Sequence, residues 1–151
     1  MKATDLLIQQ HDEVKELLQQ LGDGKGSDRG TIRRRLAVTL RAHNTTEEEL
    51  FYPRFEDEAE LKDRIDESFR EHEPALIALG ELERCNLDDP QFDDLLDTVQ
   101  QLVLEHVDSE ENEVIPRIDN LWTNDMLEQL GRAMKQRFDE LCETAGAEQR
   151  V

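Results

Sequence analysis

The pattern His43-Asn44-Thr45-Thr46-Glu47-Glu48, followed by Pro53-Arg54-Phe55, returns as His106-Val107-Asp108-Ser109-Glu110-Glu111, followed by Pro116-Arg117-Ile118. Positions four apart on a helix share a face, so each copy presents an imidazole and a carboxylate as neighbours. These ligand types suit a transition metal such as iron, manganese or zinc. Upstream of each copy stands one more imidazole: His11 lies 32 residues before His43, and His72 lies 34 before His106. They complete the chain's four histidines.

Helices must position these groups. Apolar residues recur at steps of four and three, the spacing of a buried helical stripe. A first helix begins near Thr4, a candidate N-cap, with the stripe Leu7, His11, Val14, Leu18 and Leu21. The glycine-rich run Gly22 to Gly30 is a loop. Thr31 caps a second helix carrying Leu36, Leu40, His43, Glu47 and Leu50 or Phe51, which Pro53 ends or kinks. Arg33, Arg34 and Arg35 open that helix against its dipole, which pattern alone does not explain. A third helix carries Ile65, Phe69, His72, Leu76, Leu79 and Leu82, with Pro74 bending it near His72. After a turn from Asn86 to Pro90, a fourth runs through Phe92, Leu96, Val99, Val103, His106, Glu110 and Val114, stopping near Pro116. A shorter helix at about 123–145, bearing Leu127, Leu130, Met134, Phe138 and Leu141, covers the bundle, and the tail after Gly146 frays.

The fold class is therefore all-α: a four-helix up-down bundle at about 4–118 plus a short C-terminal helix, in a single domain spanning 1–151. The two halves repeat, His11 matching His72 and Ile8 matching Phe69. An approximate two-fold would gather two ligand sets in the bundle centre. A lone histidine on an apolar stripe is usually a hydrogen-bonded core residue. Here all four fall on inward stripes, and two have a glutamate one turn on. Burying that many polar groups without compensation costs several kcal/mol or more, which a shared metal centre relieves. Glu48, Glu49, Asp57, Glu58 and Glu60 read as a solvated face, and Trp122 as core or cover.

Composition narrows the function classes. Asp and Glu number 37 against 18 Lys and Arg, for a formal charge of -19. That field repels nucleic-acid phosphates and anionic lipid. No segment resembles a membrane span or a signal peptide, which places the expectation in the cytoplasm. Cys85 and Cys142 form no metal or redox spacing and read as idle thiols of a reducing compartment.

With these residues in place, the chain resembles the hemerythrin-like family, the HHE cation-binding domain, from about Asp5 through Ile118. The resemblance implies two iron ions: His11 and His43 on one, His72 and His106 on the other, with Glu47 and Glu110 bridging and an oxo or hydroxo bridge between. The oxygen carriers of the family have a fifth histidine four residues after that of the third helix; here Leu76 stands there. The chain is thus similar to the four-His, two-Glu members, with open coordination positions. Tyr52 could supply a further donor if the Pro53 kink turned it inward, although on a regular helix it faces away from His43. Glu73 is a weaker candidate. The resemblance implies a di-iron protein reacting with hydrogen peroxide, dioxygen or nitric oxide, with catalase-like peroxide breakdown favoured. The alternatives are a non-catalytic sensor or iron store, and a metal-free helical interaction module. No protein partner can be named from the residues.

Overall fold

A computed structural model describes residues 1–24 and 28–149, and every element in them is helical. Helix α1 spans Ala3–Asp23, α2 Arg29–Thr46, α3 Lys62–Arg84, α4 Phe92–Ser109, α5 Ile115–Leu121 and α6 Asn124–Gln149. Helix α1 packs against α2 and α4, and α3 packs against the same two, giving a square bundle; α6 lies across α1 and α2. No helix among the described residues is long and apolar enough to cross a membrane.

The apolar stripes divide into two clusters. One gathers Val14, Leu18, Leu36, Leu40, Leu79, Leu82, Phe92, Leu96 and Val103. The other gathers Leu7, Phe51, Phe55, Leu61, Ile65, Val114, Ile118, Leu127 and Met134. Each of the four histidines falls in sequence between members of the first cluster and members of the second. The polar groups thus form one layer sandwiched between two dry cores.

Several local expectations are corrected. Thr4 is not an N-cap: α1 starts at Ala3, and the buried Thr4 hydroxyl donates instead to Asp119 Oδ1 at 2.6 Å, tying α1 to the region of α5. Thr31 lies inside α2, which already begins at Arg29. Gly24, at φ 63°, closes α1 in the left-handed conformation that glycine adopts without a Cβ clash. The rest of the expected loop at 25–27 lies outside the described residues. Phe69 is 51% exposed rather than inward. Helix α3 runs through Pro74 without a break, so His72 sits within a helix. The C-terminal helix is 26 residues long, the longest in the fold, and reaches Gln149 instead of ending near 145. A Cβ on its Gly131 would stand 2.2 Å from the Met1 carbonyl oxygen, so only glycine lets the N-terminal segment cross α6 there.

The basic opening of α2 is partly explained. The Arg33 guanidinium donates to the carbonyls of Leu82 at 3.0 Å and Cys85 at 2.6 Å, closing the C-terminal end of α3. Dipole repulsion of roughly 0.3–1 kcal/mol is outweighed by two charge-assisted bonds worth about 1.5 kcal/mol or more each. Arg29 stacks over the Phe92 ring, 4.1 Å from its centroid. Nothing in the fold explains Arg34 and Arg35.

Candidate metal centre

All six sequence-derived residues meet in the middle layer. His11, His43, His72 and His106 are each at most 6% exposed, and Glu47 and Glu110 are fully buried. The imidazoles pair as expected: ring centroids of His11 and His43 lie 4.9 Å apart, and those of His72 and His106 also 4.9 Å. Each carboxylate reaches both pairs. Glu47 Oε1 lies 3.2 Å from His43 Nε2 and 3.1 Å from His72 Nε2. Glu110 Oε1 lies 3.2 Å from His11 Nε2, and its Oε2 lies 3.5 Å from His106 Nε2.

The imidazoles are aimed by their other nitrogens. Nδ1 of His11 meets Glu111 Oε2 at 2.7 Å, and Nδ1 of His72 meets Glu48 Oε2 at 3.0 Å. Nδ1 of His43 meets Gln10 Oε1 at 2.7 Å, and that of His106 meets Glu71 Oε1 at 3.1 Å. A proton held on Nδ1 by an oxygen acceptor leaves Nε2 a lone pair directed inward, the arrangement by which proteins orient metal-binding histidines. The second glutamate of each Glu-Glu pair thus supports the histidine of the opposite half. For Glu48 this replaces the solvated-face reading: it is half-buried, and its exposed edge meets water while its carboxylate holds His72.

Residues that fit a metal should leave donor atoms unpaired, and these do. His11 Nε2, His43 Nε2, His106 Nε2, Glu47 Oε2 and Glu110 Oε1 are buried with no hydrogen-bond partner. His11 Nε2 and Glu110 Oε1 stand 3.2 Å apart without hydrogen-bond geometry. Ligand atoms of His11, His43, Glu47 and Glu110 lie within 4.8 Å of one another, as do those of Glu47, His72 and His106. Both sets share Glu47.

The backbone departs from a regular helix at both glutamates. Glu47–Phe51 and Glu110–Val114 form π-helical turns, with the Tyr52 amide bonded to the Glu47 carbonyl and the Ile115 amide to the Glu110 carbonyl. A proline follows one residue later in each case. Its ring would clash with the carbonyl four residues back, at Glu49 or Asn112, and widening the preceding turn relieves this. The chain then continues past each proline, as a short 3-10 helix at Tyr52–Phe55 and as α5 through Pro116, rather than stopping.

The π-turn brings in Tyr52. Five positions after Glu47 on a regular helix, it would lie about 140° round from that carboxylate. The wider turn carries its hydroxyl to 2.8 Å from Glu110 Oε2, 3.2 Å from Glu47 Oε1 and 3.2 Å from His72 Nε2. Burial, then the charges of Glu110 and Glu47, push the phenol well above its ordinary pKa of 10.0. The matching residue of the other half is Ile115, so this donor exists on one side only. Glu73 is exposed and takes no part. Leu76 is half-buried against the apolar cluster.

Beside the histidines lies a cavity of about 10 Å³, walled on its apolar side by Val14, Leu40, Ala75, Val103 and Val107. That is room for about one water-sized molecule. Every lining residue is buried except Glu71, whose side chain is 30% exposed.

The profile of the hemerythrin HHE cation binding domain matches residues 2–118. A solved structure described as a hemerythrin HHE cation binding domain-containing protein, the Rv2633c homolog from Mycobacterium kansasii, is similar with a TM-score of 0.88 at 23% identity. The match covers 100% of this chain and 93% of that one, and at this identity it speaks for the fold. No curated protein matches. With a family profile spanning most of its length, the chain belongs to the hemerythrin HHE cation-binding domain family.

Proposed function

We propose that this protein holds two iron ions and breaks down hydrogen peroxide in the manner of a catalase. His11 and His43 would hold one ion and His72 and His106 the other, with Glu47 and Glu110 shared between them. The observation that carries the reading is that each buried carboxylate reaches an imidazole of both pairs. An iron pair would supply reversible electron storage and Lewis acidity, where zinc offers only the latter.

The chain's own residues do the rest. Glu111, Gln10, Glu48 and Glu71 keep the four imidazoles in one tautomer, so that no reorganisation is needed at the moment of reaction. The apolar walls exclude bulk water and admit only a small molecule. Glu71, the one lining residue that is not buried, marks the side from which a small molecule would enter. Tyr52, whose hydroxyl donates to Glu110 Oε2 at 2.8 Å, would serve as a seventh donor on the His72 side, its proton leaving to solvent as metal is taken up.

The overall reaction consumes two peroxide molecules and yields one dioxygen and two waters, so no other reductant is required. Oxygen evolution from peroxide by iron-loaded protein is the test. Rapid evolution supports the enzyme; stable iron binding without evolution would instead indicate a sensor or store, and failure to bind iron would sink both. The Tyr52 assignment is read separately. Ferric protein is expected to show a visible phenolate-to-iron absorption band that vanishes in Tyr52→Phe while iron content is kept. A band of equal strength in the variant would refute it.

A further inference from the structure

We propose that Gln10 is a positioning residue that sets the order in which the two ions are reduced, holding His43 with a neutral amide where carboxylates hold the other three imidazoles. This role deepens the di-iron reading above and rests on it. The Gln10 side-chain carbonyl accepts from His43 Nδ1 at 2.7 Å, whereas Glu111, Glu48 and Glu71 take that place beside His11, His72 and His106. Gln10 is 3% exposed, and its Nε2 has no hydrogen-bond partner among the described residues. A buried amide with an unpaired donor is a burden that packing alone would not retain. Its carbonyl is the part in use.

The repeat isolates the difference. Gln10 and Glu71 are equivalent positions, each directly before the upstream histidine of its half and each holding the motif histidine that follows. The side chains of Glu71, Glu48 and Glu111 are 30%, 32% and 25% exposed, so water supports their charge. Gln10 has no such contact, and a neutral side chain stands there. A carboxylate draws the Nδ1 proton more strongly than an amide carbonyl does. Nε2 then becomes a stronger donor and favours the higher charge on the metal it holds. The ion between His72 and His106 has two such carboxylates and Tyr52 beside it, whereas the ion between His11 and His43 has only Glu111. Each ferric ion becomes ferrous by gaining one electron. In the proposed cycle one peroxide supplies both electrons and leaves as dioxygen and two protons. The ion between His11 and His43 is the easier of the two to reduce.

The test is a reductive titration of the iron-loaded full chain with dithionite, following the potential of each step and the visible band expected of Tyr52 on ferric iron. In the parent the band should survive the first electron and vanish with the second. Gln10→Glu is expected to keep two irons. It should raise the ferric-to-ferrous ratio of the first-reduced ion on the order of tenfold at fixed potential, about 60 mV for a one-electron couple. Gln10→Met removes the acceptor without adding charge, and is expected to shift the first step the opposite way. The second step should stay in place in both. Two irons with an unmoved first step would overturn the assignment, as would movement of the second step alone or a band lost with the first electron. Melting temperatures of the metal-free variants that change while the potentials do not would make Gln10 a packing residue. Should one variant fail to fold, the other still decides. If the parent holds two irons and the variants match its potentials, the role of Gln10 alone fails. If the parent takes up no iron, the di-iron reading fails and this role with it.

Discussion

Glu47→Ala is expected to lose the metal on the His72 side and to keep a weakened site on the His11 side, whereas Glu110→Ala retains one ion on the His72 side. The asymmetry follows from which atoms converge. Ligand atoms of Glu47 belong to both metal-competent groups, while Glu110 belongs only to the group with His11 and His43. Glu47 Oε1 also lies 3.9 Å from His106 Nε2, so one oxygen faces three imidazoles. Removing it leaves the second group with two histidines and Tyr52, too few donors for tight binding, and the first with His11, His43 and Glu110. Metal analysis should give at most one, weakly held, iron per Glu47→Ala chain and about one per Glu110→Ala chain, with peroxide turnover lowered on the order of 100-fold or more in both. Glu47→Gln preserves volume and separates the lost ligand from the lost packing. If Glu47→Ala binds as much iron as the parent, Glu47 is not the shared donor and the di-iron reading falls.

Those six residues were legible because the helical period and the repeat both act on them. Steps of four and three place His11, His43, His72 and His106 on buried faces, and the repeat pairs them. What was not legible depends on contacts between helices. Glu48 and Glu111 look like ordinary surface acids in sequence, because nothing local shows that each lies against a histidine of the opposite half. Arg33 looked misplaced at the start of α2 for the same reason, since its partners are carbonyls at the far end of α3. Phe69 kept the period of its stripe yet is 51% exposed, because the buried face of α3 there runs through Ile65, Ser68 and His72 instead.

Tyr52 is the instructive middle case. The sequence did contain its signal: the stripes His43, Glu47, Phe51 and His106, Glu110, Val114 take two steps of four in succession. On a regular helix two such steps drift about 80° around the axis. Keeping all three residues buried requires a wider turn, and a proline directly beyond is a reason for one. That local distortion turns a residue expected to face away into one touching Glu47, Glu110 and His72. Because both halves share the turn, the halves differ in side chains alone, with a phenol opposite Ile115 and a neutral Gln10 where the other half has Glu71.

Stripped of iron by chelation, the protein should lose much of its stability between pH 6.5 and about 9, while the iron-loaded form should not. Burial disfavours charge on His11, but Glu110 and Glu111 outweigh it and raise its pKa from 6.5 to about 9. His72 is also raised: burial opposes the charge, and Glu47 and Glu48 favour it. His106 is raised well above its ordinary value despite burial, by Glu110, Glu47 and Glu71. A raised folded-state pKa stabilises fully below the unfolded value of 6.5, and that contribution is lost as the pH climbs through the folded value. For His11 alone it amounts to about 3 kcal/mol, a large part of a typical domain's stability. His43 has the opposite sign, since burial lowers its pKa, so it disfavours the fold only as the pH falls below 6.5. Glu47 is raised by burial but pulled further down by His43, Glu110 and His106, so its contribution is present above 4.5 and fades in acid. The metal-free protein should therefore be most stable at mildly acidic pH. Bound iron demands neutral imidazoles, so loading releases protons and removes the alkaline loss. Melting temperatures of the two forms should diverge steadily from pH 6.5 to 9, with proton release on iron addition largest at the acidic end. Parallel curves would mean that the buried histidines carry no charge without metal. The carboxylates Glu47 and Glu110 would then need some other compensation for their burial, and the mutual support of acid and imidazole in this layer would not hold.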